Sequence, residues 1–116
     1  MPYDEHLAAR VRRLLADEQG VAEMRMFGGL AFLIGGNMAV AASGQGGLLV
    51  RVDPDRSKDL EATTRAREIE MRGRRLAGWL RIDSKGLRTE RELVRWVEMG
   101  ASFARSLPAK DASQST

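Results

Sequence analysis

The sequence predicts a single α+β domain in which helices pack against an antiparallel sheet. Between residues 21 and 52, short apolar runs are separated by two glycine-rich clusters, which is typical of an antiparallel meander. Helical patterns with a 3.6-residue period lie near both ends of the chain, and two further strand patterns precede the last helix. The expected order of elements is α-β3-α-β2-α, with five strands in one sheet.

The first helix is predicted from Asp4 to Glu18. Asp4 can cap its N-terminus, and Gly20 is expected to end it. Its apolar residues recur at helical spacing and form one stripe: Leu7, Val11, Leu14 and Leu15.

The meander is predicted from three apolar runs, Met24–Ile34, Met38–Ala42 and Leu48–Val52. Gly28-Gly29 interrupts the first run, where we expect a bulge or a tight bend. Strand alternation places Met24 and Met26 on one face of the sheet. The opposite face receives Glu23, Arg25 and Phe27.

After the meander, Asp53-Pro54 predicts the start of a short helix that continues to Thr63. The strands Glu68–Met71 and Gly78–Asp83 follow, joined across residues 72–75. In the second strand Leu80 and Ile82 share one face, and Trp79 and Arg81 share the other.

The last helix begins at Thr89, which forms a capping box with Glu92, and is predicted to reach about Leu107. Trp96 and Phe103 are expected to anchor it in the core, and Gly100 suggests a close approach to the sheet. Its predicted buried stripe is Leu93, Trp96, Val97, Gly100, Phe103, Ala104 and Leu107. Pro108 ends the helix, and residues 109–116 are predicted to be a disordered tail.

Composition argues against several classes of site. The chain has no cysteine, which excludes disulfides, thiolate catalysis and cysteine-ligated metals. Its one histidine, His6, has no cysteine partner and therefore argues against a metal site or a nucleophile–base pair. Neither a P-loop nor a dinucleotide-binding fingerprint is present. We therefore expect no enzyme activity, no cofactor and no metal. The N-terminus does not resemble a signal peptide and no apolar run approaches about 20 residues, so we expect a cytoplasmic protein without membrane contact.

Basic residues concentrate between Arg65 and Arg95, where ten of them accompany five acidic residues in a chain of net charge +3. Four arginines around the predicted turn are candidates for binding an anion: Arg72, Arg74, Arg75 and Arg81. One alternative is a nucleic-acid-associated protein that contacts phosphates through this region, although no helix-turn-helix or RNA-binding pattern accompanies it. The other alternative is an arginine-rich solvated surface.

A second candidate surface lies beside the double glycine. Arg25, Phe27, Gly28 and Gly29 combine a guanidinium, an aromatic ring and backbone N–H groups that can accept an anion, and Trp79 is a further candidate. The alternative is that Gly28-Gly29 only bends the strand and that Phe27 is buried in an apolar layer.

Several motifs resemble one known family. They are Tyr3-Asp4-Glu5, Arg25-Met26-Phe27-Gly28-Gly29, Ala31-Phe32, Gly36-Asn37-Met38, Leu49-Val50-Arg51-Val52, Gly78-Trp79 and residues 103–108. Together they resemble the TfoX N-terminal-domain family over residues 2–108. The stretch Thr64–Met71 departs from the family pattern, because Met71 stands where the family has an aromatic residue.

This resemblance implies an α-β3-α-β2-α fold similar to that of secretion chaperones. It also implies a non-enzymatic regulatory module, like the N-terminal domain of competence regulators, that acts through contacts with a protein partner and forms a homodimer. The named regulators carry a second, C-terminal domain, and nothing that domain contributes is carried over to these 116 residues. A small-molecule-binding or enzymatic domain is the remaining alternative.

Overall fold

The structure is a computed structural model that describes residues 3–26 and 28–109. Three α-helices and six strands make up this part of the chain. In order they are α1 (Glu5–Leu14), β1 (Val21–Met26), β2 (Gly29–Ile34), β3 (Asn37–Ala42), β4 (Leu48–Arg51), α2 (Ser57–Thr63), β5 (Arg67–Met71), β6 (Arg74–Ile82) and α3 (Glu90–Ser106). The predicted α+β class is confirmed.

The strands form one antiparallel sheet in the order β1-β2-β3-β4-β6-β5. The prediction of five strands was one short, because the first apolar run folds into two strands. Gly28 has a φ of +72°, and Met26 pairs with Gly29 across the tight connection. Apolar residues continue on both sides of this turn, so hydrophobicity alone does not separate β1 from β2.

The main core lies between one face of the sheet and the three helices; we call this the covered face. Phe32, Leu48, Leu80 and Ile82 point into it and are fully buried. The helices contribute the following buried residues: Leu7, Ala8, Val11, Leu60, Leu93, Trp96, Val97, Ala101 and Ala104. All three helices therefore pack on the same side of the sheet.

The helix ends differ in part from the predictions. Asp4 caps α1 by accepting from the N–H groups of His6 and Leu7, but the helix ends at Leu14 and Gly20 belongs to the connection that follows. A 3₁₀ turn, Pro54–Arg56, precedes α2, so the second helix is shorter than predicted.

In α3 the capping box between Thr89 and Glu92 is confirmed, as is the burial of Trp96. A Cβ on Gly100 would lie 2.4 Å from the carbonyl oxygen of Ala39, which confirms the close approach to the sheet. The prediction that Phe103 is a core anchor was wrong: its ring is only half-buried, because it lies at the margin of the helix stripe.

The β5–β6 hairpin is longer and tighter than predicted. Arg72 and Gly73 alone form its turn, with φ values of 54° and 78°, and Arg74 already pairs with Met71. Further along, Glu68 pairs with Leu80 whereas Ile69 pairs with Leu76, so three residues of β6, 77–79, form a bulge. This irregularity bends β6 near the middle of its own length.

Two sequence predictions concern residues outside the described part of the chain. Of the predicted tail 109–116, only Ala109 is described, and Phe27 also lies outside the described residues. Among the helices of the described ranges, none is both long enough and apolar enough to cross a membrane.

Candidate functional site

The face of the sheet opposite the helices, which we call the open face, carries a second apolar cluster. Its buried members all come from strands β2, β3 and β4: Ala31, Leu33, Met38, Ala41 and Leu49. Met26, Ile69 and Trp79 are partly buried against this cluster, and no helix residue of the described chain joins it. Among the residues that the structure describes, the open face is therefore a single apolar layer without a second layer above it.

Two exposed methionines lie at opposite ends of this layer. Met24 on β1 has a relative exposure of 51% and Met71 at the end of β5 one of 46%. Met24 pairs with Ala31, which places it on the open face. Methionine is flexible and polarisable, so it adapts to the shape of a binding partner.

The charges of the open face have one sign. Register and alternation place Arg67 opposite Arg81 and Arg74 opposite Met71 on this face. Among the strand residues that the structure describes, no aspartate or glutamate points to the open face. The strand glutamates lie on the covered side instead: Glu23, Glu68 and Glu70.

Arg81 makes the most side-chain hydrogen bonds of these arginines. Its Nη1 donates to Ser43 Oγ at 2.9 Å and to the carbonyl oxygen of Gly46 at 3.0 Å, and its Nη2 donates to Gln45 Oε1 at 3.2 Å. All three acceptors are neutral and belong to the β3–β4 connection. The guanidinium is thus held in place, but no carboxylate within residues 3–26 and 28–109 neutralises its charge.

Trp79 lies beside Arg81 on the open face, at the bulge of β6. The guanidinium of Arg51 lies 5.2 Å from the centre of the Trp79 ring and 5.6 Å from that of Phe103. Such contacts between a cation and an aromatic face orient the ring. Trp79 is consequently a fixed wall of the open face.

Arg75, one of the predicted anion-binding residues, is occupied by carboxylates. It forms ion pairs with Glu61 and, at 3.3 Å, with the nearly buried Glu68. Ser57 donates a hydrogen bond of 2.6 Å to Glu68. The backbone N–H of Glu68 and the neighbouring Arg75 hold the pKa of Glu61 below its ordinary value. This network attaches α2 to the β5–β6 hairpin.

The residues predicted to form one surface around the double glycine lie at different places in the structure. Arg25 pairs with Leu30, so it lies on the covered side of β1 and is exposed. Gly28 occupies the turn, and Gly29 packs against β3, where a Cβ would lie 2.0 Å from the carbonyl oxygen of Ala42. The structure thus places Arg25 on the opposite face from Trp79 and Arg81.

The other basic residues between 65 and 95 are dispersed. Arg72 and Arg74 are exposed at the tip of the β5–β6 hairpin, whereas Lys85 and Arg88 follow the other end of β6, next to the start of α1. Arg91 and Arg95 are on α3. The basic segment from Arg65 to Arg95 is continuous in sequence, but its basic side chains do not form one continuous surface.

A cavity of about 550 Å³ opens on the open face between the β3–β4 connection and the β5–β6 hairpin. Trp79, Arg81 and Arg72 line it, as predicted candidates, together with residues that sequence reasoning missed: Ser43, Gln45, Leu49, Ile69 and Leu76. Alternation along β4 could have indicated Leu49. The contribution of the loop residues depends on tertiary contacts. A second groove, of about 610 Å³, lies between α3 and the chain that follows β4.

Within the described ranges, no group of three or more histidine, aspartate or glutamate side chains could hold a metal ion. In a comparison with known protein families, the family model described as TfoX N-terminal domain matches residues 13–104. A comparison with curated proteins finds no match.

Proposed function

This chain belongs to the TfoX N-terminal domain family, and we propose that it is a non-enzymatic regulatory module that binds a protein partner on the open face of its sheet. The observation that carries the proposal is an apolar face that no described helix covers and whose charged strand residues are all arginines. The family is not a known enzyme family, which is consistent with a binding role.

The chemistry of the open face defines the partner that would fit it. Met24, Met71 and the partly buried Met26 offer adaptable apolar contacts, while Arg67 and Arg74 stand beside them. A partner segment with alternating apolar and acidic side chains would bury these methionines under its apolar side chains. Its acidic side chains would pair with the two arginines. We therefore propose a partner protein with an acidic, amphipathic segment, bound in the cytoplasm.

Nucleic acid is the alternative partner. The same arginines could contact phosphates, but the basic residues from Arg65 to Arg95 are distributed over both ends of β6 and over α3. Arg75 is moreover neutralised by Glu61 and Glu68. A methionine-rich face offers a nucleic acid little to recognise, so the protein partner is favoured.

Photo-cross-linking from two positions tests the proposal. A photoreactive residue at Met24 probes the open face, and one at Val94, which is 41% exposed on α3, probes the opposite surface. Cross-linking is done in nuclease-treated extract of the native host. We expect one protein to be captured from position 24 and not from position 94, through a segment rich in acidic and apolar residues.

Two matched substitutions then test the contact itself. Met24→Glu and Val94→Glu place the same charge at similarly exposed apolar positions on opposite surfaces. Met24→Glu should abolish capture, whereas Val94→Glu should leave it unchanged, and both variants should keep the wild-type melting temperature within a few degrees. Equal capture from both positions, or capture that disappears on nuclease treatment, would overturn the proposal.

We also propose that the protein is a homodimer. Both β1 and β5 are edge strands of the sheet, and unpaired edges are suited to pairing with a second copy. Light scattering should give about twice the chain mass of 12.8 kDa. A monomer mass throughout a dilution series would contradict this part of the proposal.

A further inference from the structure

The cavity on the open face has the composition of a small-molecule site rather than of a flat docking surface. Its volume of about 550 Å³ lies within the range of about 300–1,000 Å³ that is typical of ligand pockets. Its apolar wall consists of Leu49, Ile69, Leu76 and Trp79. The bulge at residues 77–79 bends β6 beside it, so that Leu76 and Trp79 both face the same space.

Arg81 supplies the polar end of this cavity. A guanidinium has five N–H groups, and three of those of Arg81 are donated to Ser43, Gln45 and Gly46. The Nε–H donates to no described residue. The acceptors use both N–H groups of Nη1 and one of Nη2, so the edge formed by Nε and Nη2 keeps the Nε–H and one Nη2 N–H for a ligand.

A carboxylate fits this remaining edge. Guanidinium and carboxylate match each other through paired N–H···O bonds, and a half-buried guanidinium that lacks a counter-ion binds an anion more strongly than a solvated one. Arg72 adds a second positive charge at the rim. Glu70 also borders the cavity, but it pairs with Arg75 in the register and alternation directs its side chain to the covered side.

We propose that this cavity binds a small organic acid, with its carboxylate on Arg81 and its aromatic or aliphatic body against Leu49, Ile69 and Trp79. The cavity lies at the β5–β6 end of the open face and shares Met71 with the proposed protein-binding surface, and a small-molecule ligand goes beyond the function proposed above.

Calorimetric titration of the full chain with 2-naphthoate and with the neutral 2-naphthamide tests the proposal. The two probes have nearly the same shape and differ in charge. We expect 2-naphthoate to bind with a dissociation constant below about 1 mM, and at least about tenfold more tightly than 2-naphthamide. This comparison uses the unaltered protein and does not depend on the folding of any variant.

Two charge-matched variants locate the binding. Arg81→Gln removes the proposed partner of the carboxylate, whereas Arg91→Gln removes the same charge from an exposed residue of α3 that does not line the cavity. Arg81→Gln should weaken 2-naphthoate binding about tenfold and leave 2-naphthamide within about twofold. Arg91→Gln should change neither by more than about twofold.

A third variant and a second class of ligand complete the test. Ile69→Trp should fill the cavity and reduce the binding of both probes while Arg81 stays in place. No binding of 2-naphthoate at about 1 mM, equal binding of the amide, or equal losses in both arginine variants would overturn the proposal. The proposal would also be overturned if the protein bound a peptide with an apolar C-terminal residue tightly and did not bind 2-naphthoate. The site would then recognise the C-terminus of a polypeptide.

Discussion

The two faces of the sheet are built from the same strands but serve different purposes. On the covered face, Phe32, Leu48 and Leu80 are large, fully buried and packed against helices. On the open face, the central positions of β2 and β3 are Ala31 and Ala41, and large apolar residues surround them in one layer. The covered face is packed against helices, whereas no described helix covers the open face, where we propose that a partner binds.

Arginines follow the same division. On the covered side, Arg12 and Arg75 pair with glutamates and connect helices to strands. On the open side, Arg81 is held by neutral acceptors and keeps its charge uncompensated within the described chain. An arginine that is ordered without a carboxylate is therefore a better indication of a binding site here than the density of basic residues along the sequence.

The largest effect on the covered face is expected for Trp96→Ala. Trp96 is 4% exposed and lies within the main core. The substitution should reduce the free energy of unfolding by about 3–5 kcal/mol, because a large cavity remains. Chemical denaturation measures this loss. A loss below about 1 kcal/mol would show that the covered face does not dominate stability.

Leu48 and Leu49 compare the faces directly, because they are neighbours on β4 and point to opposite sides. Leu48→Ala should reduce the free energy of unfolding by about 3–5 kcal/mol and Leu49→Ala by about 2 kcal/mol, since only Leu48 has helices packed against it. Parallel urea titrations of the two variants provide the measurement. Equal losses would mean that both faces contribute equally to the free energy of unfolding.

Gly100→Ala tests how closely α3 must approach the covered face. The new Cβ would lie 2.4 Å from the carbonyl oxygen of Ala39 and 2.8 Å from Cγ1 of Val40, so the helix would have to move away from β3. We expect a loss of about 1–3 kcal/mol by thermal denaturation. Ser102→Ala, at an exposed position of the same helix, is the control and should not destabilise the protein.

The smallest effect concerns an ion pair at the margin of the covered face. Arg12 donates hydrogen bonds of 2.5 and 2.9 Å to Glu23, and these bonds lower the pKa of Glu23 from its ordinary value of 4.5. Because the folded pKa is lowered, the stabilisation is present above pH 4.5 and is lost as the pH falls through the folded pKa. We expect less than about 1 kcal/mol for this exposed pair.

Arg12→Gln provides the comparison for that measurement. Its stability should depend less on pH in the acidic range than that of the wild type, since Glu23 then loses the hydrogen bonds that lower its pKa. Unfolding measured from pH 7 to about pH 3 would show the difference. Identical pH profiles for the two proteins would contradict a contribution from this pair.

Much of the fold could be predicted from local pattern. The caps at Asp4 and Thr89 are side-chain contacts within three residues, and the structure contains both. Alternation correctly separated Leu80 and Ile82 from Trp79 and Arg81, because successive strand residues point to opposite faces. Of the candidate site residues, Trp79, Arg81 and Arg72 line the cavity on the open face.

The misplaced predictions share one cause. Gly28 ends a strand within a continuous apolar run, and Phe103 lies at the margin of a helix stripe where burial depends on what packs nearby. Arg25 and Arg75 carry the same side chain as Arg81, yet they lie on the covered side of the sheet. Neither hydrophobicity nor charge along the chain distinguishes these cases.

By itself, the sequence determined the α+β class, the starts of the first and last helices and the assignment of strand residues to two opposite faces, because these follow from backbone geometry and from contacts over a few residues. Only the tertiary structure decided which face the helices cover and which arginine is left without a carboxylate. Both faces are apolar, so the choice depends on contacts between distant residues, such as Gly100 with Ala39 and Arg81 with Ser43. Such contacts leave no periodic signal in the chain.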